Sequence, residues 1–111
     1  MSIEIIELKV SQTIEANESV ADFYVIPNNS MCDIKDFWGS TPFDSYSVVS
    51  LIWDFDSENP INLWTIRGYG QSPLLDSIVG DGIKKLAVMC INENSIAVSM
   101  SAKASLKIIG V

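Results

Sequence analysis

The most regular alternation of apolar and polar positions lies near the end of the sequence, from Ile96 to Ile108. Apolar residues alternate one by one with serine, lysine and alanine, so the period is two rather than about 3.6. One face is apolar throughout and the other is largely polar, as in an antiparallel strand that packs on a core on one side only. A strand of this length is expected to bend or bulge near Ala102 to Ala104.

Several other segments have the composition of β-strands. Tyr46 to Phe55 is rich in β-branched and aromatic residues, which strands favour. Lys84 to Ile91 is apolar on both faces after its first residues, and this predicts a central strand. Further strands are predicted at Ser2 to Ile14, Val20 to Ile26, Met31 to Trp38 and Ile61 to Arg67.

Turn-forming residues separate these segments. Asn92 to Ser95 predicts that the two last strands form one long hairpin, and Asp56 to Pro60 predicts a second hairpin in the middle of the chain. The longest gap, Gly68 to Gly82, has room for an elaborated loop or a short helix. The four prolines fall in gaps, where a missing amide proton costs no ladder hydrogen bond: Pro27, Pro42, Pro60 and Pro73.

This spacing of strands and turns predicts an all-β protein with about seven or eight strands, folded as an antiparallel, jelly-roll-like β-sandwich. Residues 1–111 are expected to form a single domain, since 111 residues with 48% hydrophobic content suit one globular core. A chain of this size can bury that core without a disulfide or a metal ion.

Charge and residue content exclude several functions. Fourteen acidic and seven basic residues give a net charge of −7, which opposes nucleic-acid binding. There is no histidine, and therefore neither the commonest general base nor the commonest zinc ligand. We expect no enzyme and no cofactor. No apolar run is long enough to span a membrane, and Glu4 and Glu7 interrupt the first apolar segment, so no secretion signal is expected.

The two cysteines, Cys32 and Cys90, are 58 residues apart and match no metal-binding or redox motif. Buried free thiols are the preferred interpretation, because free cysteine packs as a small hydrophobic residue. A single disulfide is the alternative.

Three carboxylates at a spacing of two, Asp54, Asp56 and Glu58, are the candidate metal ligands. In an extended strand they would point the same way, as a calcium ion requires. The EF-hand pattern is not matched, because Asn59 and Thr65 stand where that loop needs glycine and glutamate. The alternative is a solvated acidic hairpin end that discourages pairing between sheet edges.

Aromatic residues offer a candidate sugar-binding site. Trp53 and Phe55 alternate with residues of an apolar face, so core packing is expected for them. Trp64 and Tyr69 lie near a glycine-containing loop and are the candidate ligand-binding residues.

Four segments carry a resemblance to a protein class: Ile14 to Ser19, Phe37 to Thr41, Val48 to Asp54 and Ile78 to Leu86. Their order and turn residues resemble small β-sandwich proteins encoded in the structural gene clusters of tailed bacteriophages. The resemblance implies a capsid decoration or tail-associated protein, made in the host cytoplasm and located in the virion. It implies no catalytic residue.

The leading hypothesis is therefore a non-enzymatic virion subunit that docks on other virion proteins, capsid or tail subunits, and forms a homo-oligomer. Apolar segments at both ends of the sequence agree with docking, because such segments need a surface to lie against. The alternative hypothesis is a carbohydrate-binding β-sandwich that uses Trp64 and Tyr69 to bind a glycan, with or without calcium at Asp54, Asp56 and Glu58.

Overall fold

The structure is a computed structural model that describes residues 2–42, 46–72 and 77–110. These residues contain no helix that is long and apolar enough to cross a membrane. They form nine strands: β1 (Ser2–Ile14), β2 (Ser19–Val25), β3 (Ser30–Ser40), β4 (Ser47–Trp53), β5 (Ile61–Ile66), β6 (Tyr69–Ser72), β7 (Ser77–Val79), β8 (Lys85–Asn92) and β9 (Val98–Gly110).

The strands form two antiparallel sheets. Sheet A has the order β1-β9-β3-β6, and β7 also pairs with β3. Sheet B has the order β2-β8-β4-β5. With β6 and β7 taken as one interrupted edge, each sheet is four strands wide and the strand order is that of a jelly roll. The predicted all-β antiparallel sandwich is confirmed.

Strand pairing confirms one predicted hairpin and contradicts the other. β4 pairs with β5, as expected. β8 and β9, however, lie in different sheets, because β8 pairs with β2 and β4 while β9 pairs with β1 and β3. The segment from Glu93 to Ala97 therefore crosses between the sheets. The predicted long hairpin is wrong because turn-forming residues specify a change of direction without specifying which strands then pair.

The longest predicted gap also contains strands. Gly68 to Gly82 contributes β6 and β7, which form the edge of sheet A beyond β3. Each is too short to show a clear alternation in sequence. Pro73, predicted to lie in a gap, is outside the described residues.

The core lies between the two sheets and is built from alternate residues of the long strands. β1 and β9 pair in an unbroken register from Ser2 opposite Gly110 to Ile14 opposite Val98. The expected bulge near Ala102 is therefore absent from this pair, and the register shift falls on β3, between Ile34 and Asp36. The largest core side chains include Phe37, Ile14, Ile34, Leu51 and Leu106.

Both cysteines are buried free thiols, as predicted. Burial, with a smaller contribution from Asp33, raises the pKa of the Cys32 thiol to about 12. Burial raises the pKa of the Cys90 thiol to about 11. Both groups are therefore protonated and inaccessible in the folded protein.

We expect these thiols to be inert toward Ellman's reagent at about pH 8 and to react fully after denaturation. Because the unfolded thiols ionise at lower pH than the folded ones, stability should fall as the pH rises from about 9 toward 11. Urea unfolding across this range measures the effect. A variant with both cysteines changed to alanine should lose less stability over the same range, and an equal loss would contradict the assignment.

Candidate functional site

The outer face of sheet A carries most of the basic residues of this acidic protein. Strand register and alternating burial place four lysines and three carboxylates on it, a local balance of 4 − 3 = +1 in a chain of net charge −7. The seven residues are Lys9, Lys35, Lys103, Lys107, Glu7, Asp33 and Asp36. This face is therefore the part of the sandwich best suited to a negatively charged ligand.

A β-bulge in β3 determines which side chains reach this face. Cys32 and Ile34 face the core, and strict alternation would turn residues 36 and 38 inward as well. The register shift between Ile34 and Asp36 reverses the alternation, so that Phe37 is buried in the core. Asp36 and Trp38 then lie on the outer face, half-buried. Bulges commonly redirect side chains at functional sites.

These residues form one wall of a groove of about 540 Å³ on the outer face of sheet A. The Trp38 and Tyr69 rings meet edge to face, with centroids 6.1 Å apart and an interplanar angle of 78°. Tyr69 is 64% exposed, so most of its ring is available to a ligand. The other polar lining residues are Lys9, Ser11, Asp36, Gln71, Ser101 and Lys103.

Some polar groups that line the groove have partners within the protein, and one has none among the described residues. The Ser11 and Ser101 hydroxyl oxygens are 3.2 Å apart, and Lys103 Nζ is 3.5 Å from Glu7 Oε2. Asp36 Oδ1 is buried and accepts no hydrogen bond from any residue that the structure describes. A buried acceptor without a donor is costly. The Asp36 side chain as a whole is half-buried and also lines the groove.

The two predicted ligand-binding residues lie on different sheets. Tyr69 is in β6 of sheet A and contributes to the groove. Trp64 is in β5 of sheet B, 47% exposed, opposite the core residue Leu51. Trp64 therefore borders the open edge of the core and lines a separate, shallow depression. The partner of Tyr69 is Trp38, which the sequence did not distinguish because the bulge that turns it outward has no clear signal.

The three predicted metal ligands are not brought together. β4 ends at Trp53, and Asp54 has a φ of 58°, so the acidic segment is a turn rather than an extended strand. Lys85 donates a hydrogen bond to Asp56 at 2.5 Å and thereby lowers the pKa of that carboxyl group. No three acidic or cysteine side chains within the described residues are placed to hold a metal ion. The premise that Asp54, Asp56 and Glu58 share one face is wrong.

The outer face of sheet B differs from that of sheet A because it has few charged residues, although the hydrogen-bonded pair Ser50 and Thr65 also lies on it, beside Met89. Its strands contain two charged residues, Asp22 and Lys85. Asp22 accepts a hydrogen bond from the Lys9 backbone in sheet A, and Lys85 pairs with Asp56. Seven outward-facing residues that are at least partly exposed define what we call the apolar face: Ala21, Phe23, Val25, Val48, Ile52, Met89 and Ile91. Ala87 lies on the same side of the sheet but is completely buried.

Comparison with known proteins gives two structural likenesses. No protein-family model matches the sequence, and neither does any curated protein. The structure is similar to the periplasmic inhibitor of g-type lysozyme, PliG, from Aeromonas hydrophila, at 14% identity, a TM-score of 0.47, and 92% and 85% coverage of this chain and that one. It is also similar to the Yersinia pseudotuberculosis-derived mitogen, at 10% identity, a TM-score of 0.45, and 79% and 85% coverage. Neither likeness identifies a function for this chain.

Proposed function

We propose that the protein is a non-enzymatic structural subunit of a tailed-phage virion, of the capsid decoration or tail-associated kind, that docks on another virion protein. The observation that carries the docking proposal is the apolar face of sheet B. The virion setting rests on the resemblance of four sequence segments to phage β-sandwich proteins. The absence of histidine agrees with a role that depends on binding rather than on catalysis.

The apolar face departs from the usual arrangement of an antiparallel sheet. Such a sheet commonly turns polar side chains toward water on one face, as sheet A does with seven charged residues. One row across sheet B instead runs from Ala21 to Met89 and ends at Ser50, and the next runs from Phe23 through the buried Ala87 to Ile52. Contact with a partner would remove this surface from water, which is worth about 25 cal/mol per Å². Exposed apolar patches with a polar rim mark protein-protein interfaces, and here Lys85 Nζ lies at the rim, 4.7 Å from the centroid of the Phe23 ring.

The charge distribution supports a partner other than a second copy. The chain has a net charge of −7, and the apolar face contributes none of it. Two copies that met through this face would bring equal negative charges together around the contact. A capsid or tail subunit with an uncharged patch and a basic rim would instead attract the chain. We therefore propose such a subunit as the partner, and homo-oligomer formation becomes a separate outcome of the test.

The test assembles particles with variant chains and measures the copy number of the chain in purified virions by mass spectrometry. We expect the unchanged chain to be present and Met89→Glu to lower its copy number at least tenfold, because docking would bury an unpaired carboxylate. Ile83→Glu is the matched control: Ile83 is 77% exposed in the turn before β8, outside the apolar face, and its replacement should leave the copy number unchanged. Circular dichroism establishes that both variants fold.

Three results would contradict the proposal. The first is purified virions without the chain. The second is equal incorporation of the Met89→Glu and unchanged chains. The third is a stable oligomer, detected by analytical ultracentrifugation, that the Met89→Glu substitution dissociates, together with no binding to any virion protein. That result would show that the apolar face binds a second copy of the chain.

A further inference from the structure

We propose that the groove on the outer face of sheet A binds an acidic saccharide, meaning a glycan unit with a carboxylate on its ring or side chain. The groove lies on the sheet opposite the apolar face. This inference is therefore independent of the docking proposal. It rests on a pair of lysines, an aromatic pair and the polar side chains of Asp36 and Gln71 that line the groove with them.

The lysine pair provides the anion site. Lys9 and Lys103 are directly opposite each other in the β1–β9 register, and like charges in that position are destabilising. Lys103 is compensated in part by Glu7, at 3.5 Å. Lys9 forms no ion pair with any residue that the structure describes. A ligand carboxylate between the two ammonium groups would relieve their repulsion and accept charge-assisted hydrogen bonds.

The far side of the groove provides the sugar site. Lys103 is opposite Trp38 in the β9–β3 register, so the anion site and the aromatic pair adjoin each other. The exposed Tyr69 ring offers an apolar surface for the C–H face of a sugar ring. Asp36 and Gln71 also line the groove, the first with acceptors and the second with donors and an acceptor. Hydroxyl groups of a sugar satisfy both kinds of group at once.

The geometry favours a saccharide over an acidic peptide. Two of the strands beneath the groove, β9 and β3, lie in the interior of sheet A, between the edge strands β1 and β6. A peptide lying across the middle of the groove could not add a strand to β9 or β3, and strand addition is the mode that usually gives peptides affinity on a sheet. Recognition must then come from the side chains on the outer face of the sheet. Their hydrogen-bonding groups and charges suit a sugar ring with several hydroxyl groups and one carboxylate.

The experiment is a glycan array followed by isothermal titration calorimetry with two matched pairs, sialyllactose with lactose and trigalacturonate with trigalactose. We expect at least one acidic member to bind at least tenfold more tightly than its neutral partner. Added salt should reduce this preference, because it rests on charge. Binding should persist in Met89→Glu, which alters the opposite sheet and so separates this site from the docking surface.

Single substitutions test the two halves of the site separately. Lys9→Gln should reduce the preference for the acidic sugar about tenfold, whereas Lys35→Gln, on the same face but outside the groove, should not. Tyr69→Ala should weaken binding of the acidic sugar at least tenfold. Trp64→Ala removes a comparably exposed aromatic ring on the other sheet and should leave binding unchanged.

Four outcomes would overturn the proposal. These are the absence of binding to any acidic glycan, equal affinity for the neutral partner, and binding that is lost in Trp64→Ala but kept in Tyr69→Ala. The fourth is binding of a hexaglutamate peptide as tightly as the best acidic sugar and with the same dependence on Lys9, which would make the groove a general anion site.

Discussion

Replacement of Asn92 by alanine is expected to lower the free energy of unfolding by about 4 kcal/mol. The side chain is completely buried, and its Nδ2 lies 2.9, 3.1 and 3.0 Å from the backbone oxygens of Ile14, Glu15 and Ile96, which share its two hydrogens. Its Oδ1 accepts hydrogen bonds from the backbone and side chain of Asn94. One amide therefore joins the β1–β2 turn to the segment that crosses from sheet B to sheet A, and its removal leaves those carbonyl groups without their donor.

Urea unfolding measures this change. Asn59→Ala is the matched control, since Asn59 is exposed and its side chain has no hydrogen bond to the residues that the structure describes, and we expect it to alter stability by less than about 0.5 kcal/mol. Asn92→Asp should be as harmful as alanine near neutral pH, because a carboxylate would face three carbonyl oxygens. It should recover in part at low pH, where the protonated acid can donate. A decrease of less than about 1 kcal/mol in the free energy of unfolding of Asn92→Ala would show that the hydrogen bonds of Asn92 are not needed for stability.

The Gly80→Ala variant should lose about 3 kcal/mol, for a steric reason. A Cβ atom at Gly80 would lie 2.2 Å from the Pro27 carbonyl oxygen and 2.6 Å from Ile26 Cγ2. The backbone there cannot retreat easily, because Gly80 donates to the Ser30 oxygen at 2.9 Å. The loop before β8 is thus packed directly on the turn between β2 and β3.

Thermal unfolding compares this variant with Gly82→Ala in the same loop. Gly82 has a φ of 77°, and a Cβ there would be 3.4 Å from its nearest neighbour, so the cost is conformational and should be about 1 kcal/mol. Equal losses at the two positions would contradict the steric explanation for Gly80.

The sequence predicted strands well wherever alternation was regular. The bounds of β1, Ser2–Ile14, are those expected, and β8 is central in its sheet as its two apolar faces indicated. β9 begins at Val98 rather than Ile96, because the Ile96 carbonyl is held by Asn92 in the crossing segment. Such tertiary hydrogen bonds have no counterpart in local pattern, and neither does the choice of partner strand that made the second hairpin prediction wrong.

The candidate site was less predictable. Tyr69 was identified in the sequence, but Asp36, Trp38, Lys9 and Lys103 were not. Asp36 and Trp38 face outward only because of the one-residue bulge, and a slip of one residue reverses every later side chain in a strand. Lys9 and Lys103 are 94 positions apart and become neighbours only through the β1–β9 register. Long-range pairing of this kind follows from the completed fold.

The pairing of β1 with β9 has a consequence for how the chain acquires its structure. Since Ser2 pairs with Gly110, β1 has no partner in sheet A among the described strands until β9 has left the ribosome. Pairings so distant along the chain slow folding and prolong the exposure of unpaired strands. Charged residues within β1, Glu4, Glu7 and Lys9, discourage its premature association with other nascent chains during that interval.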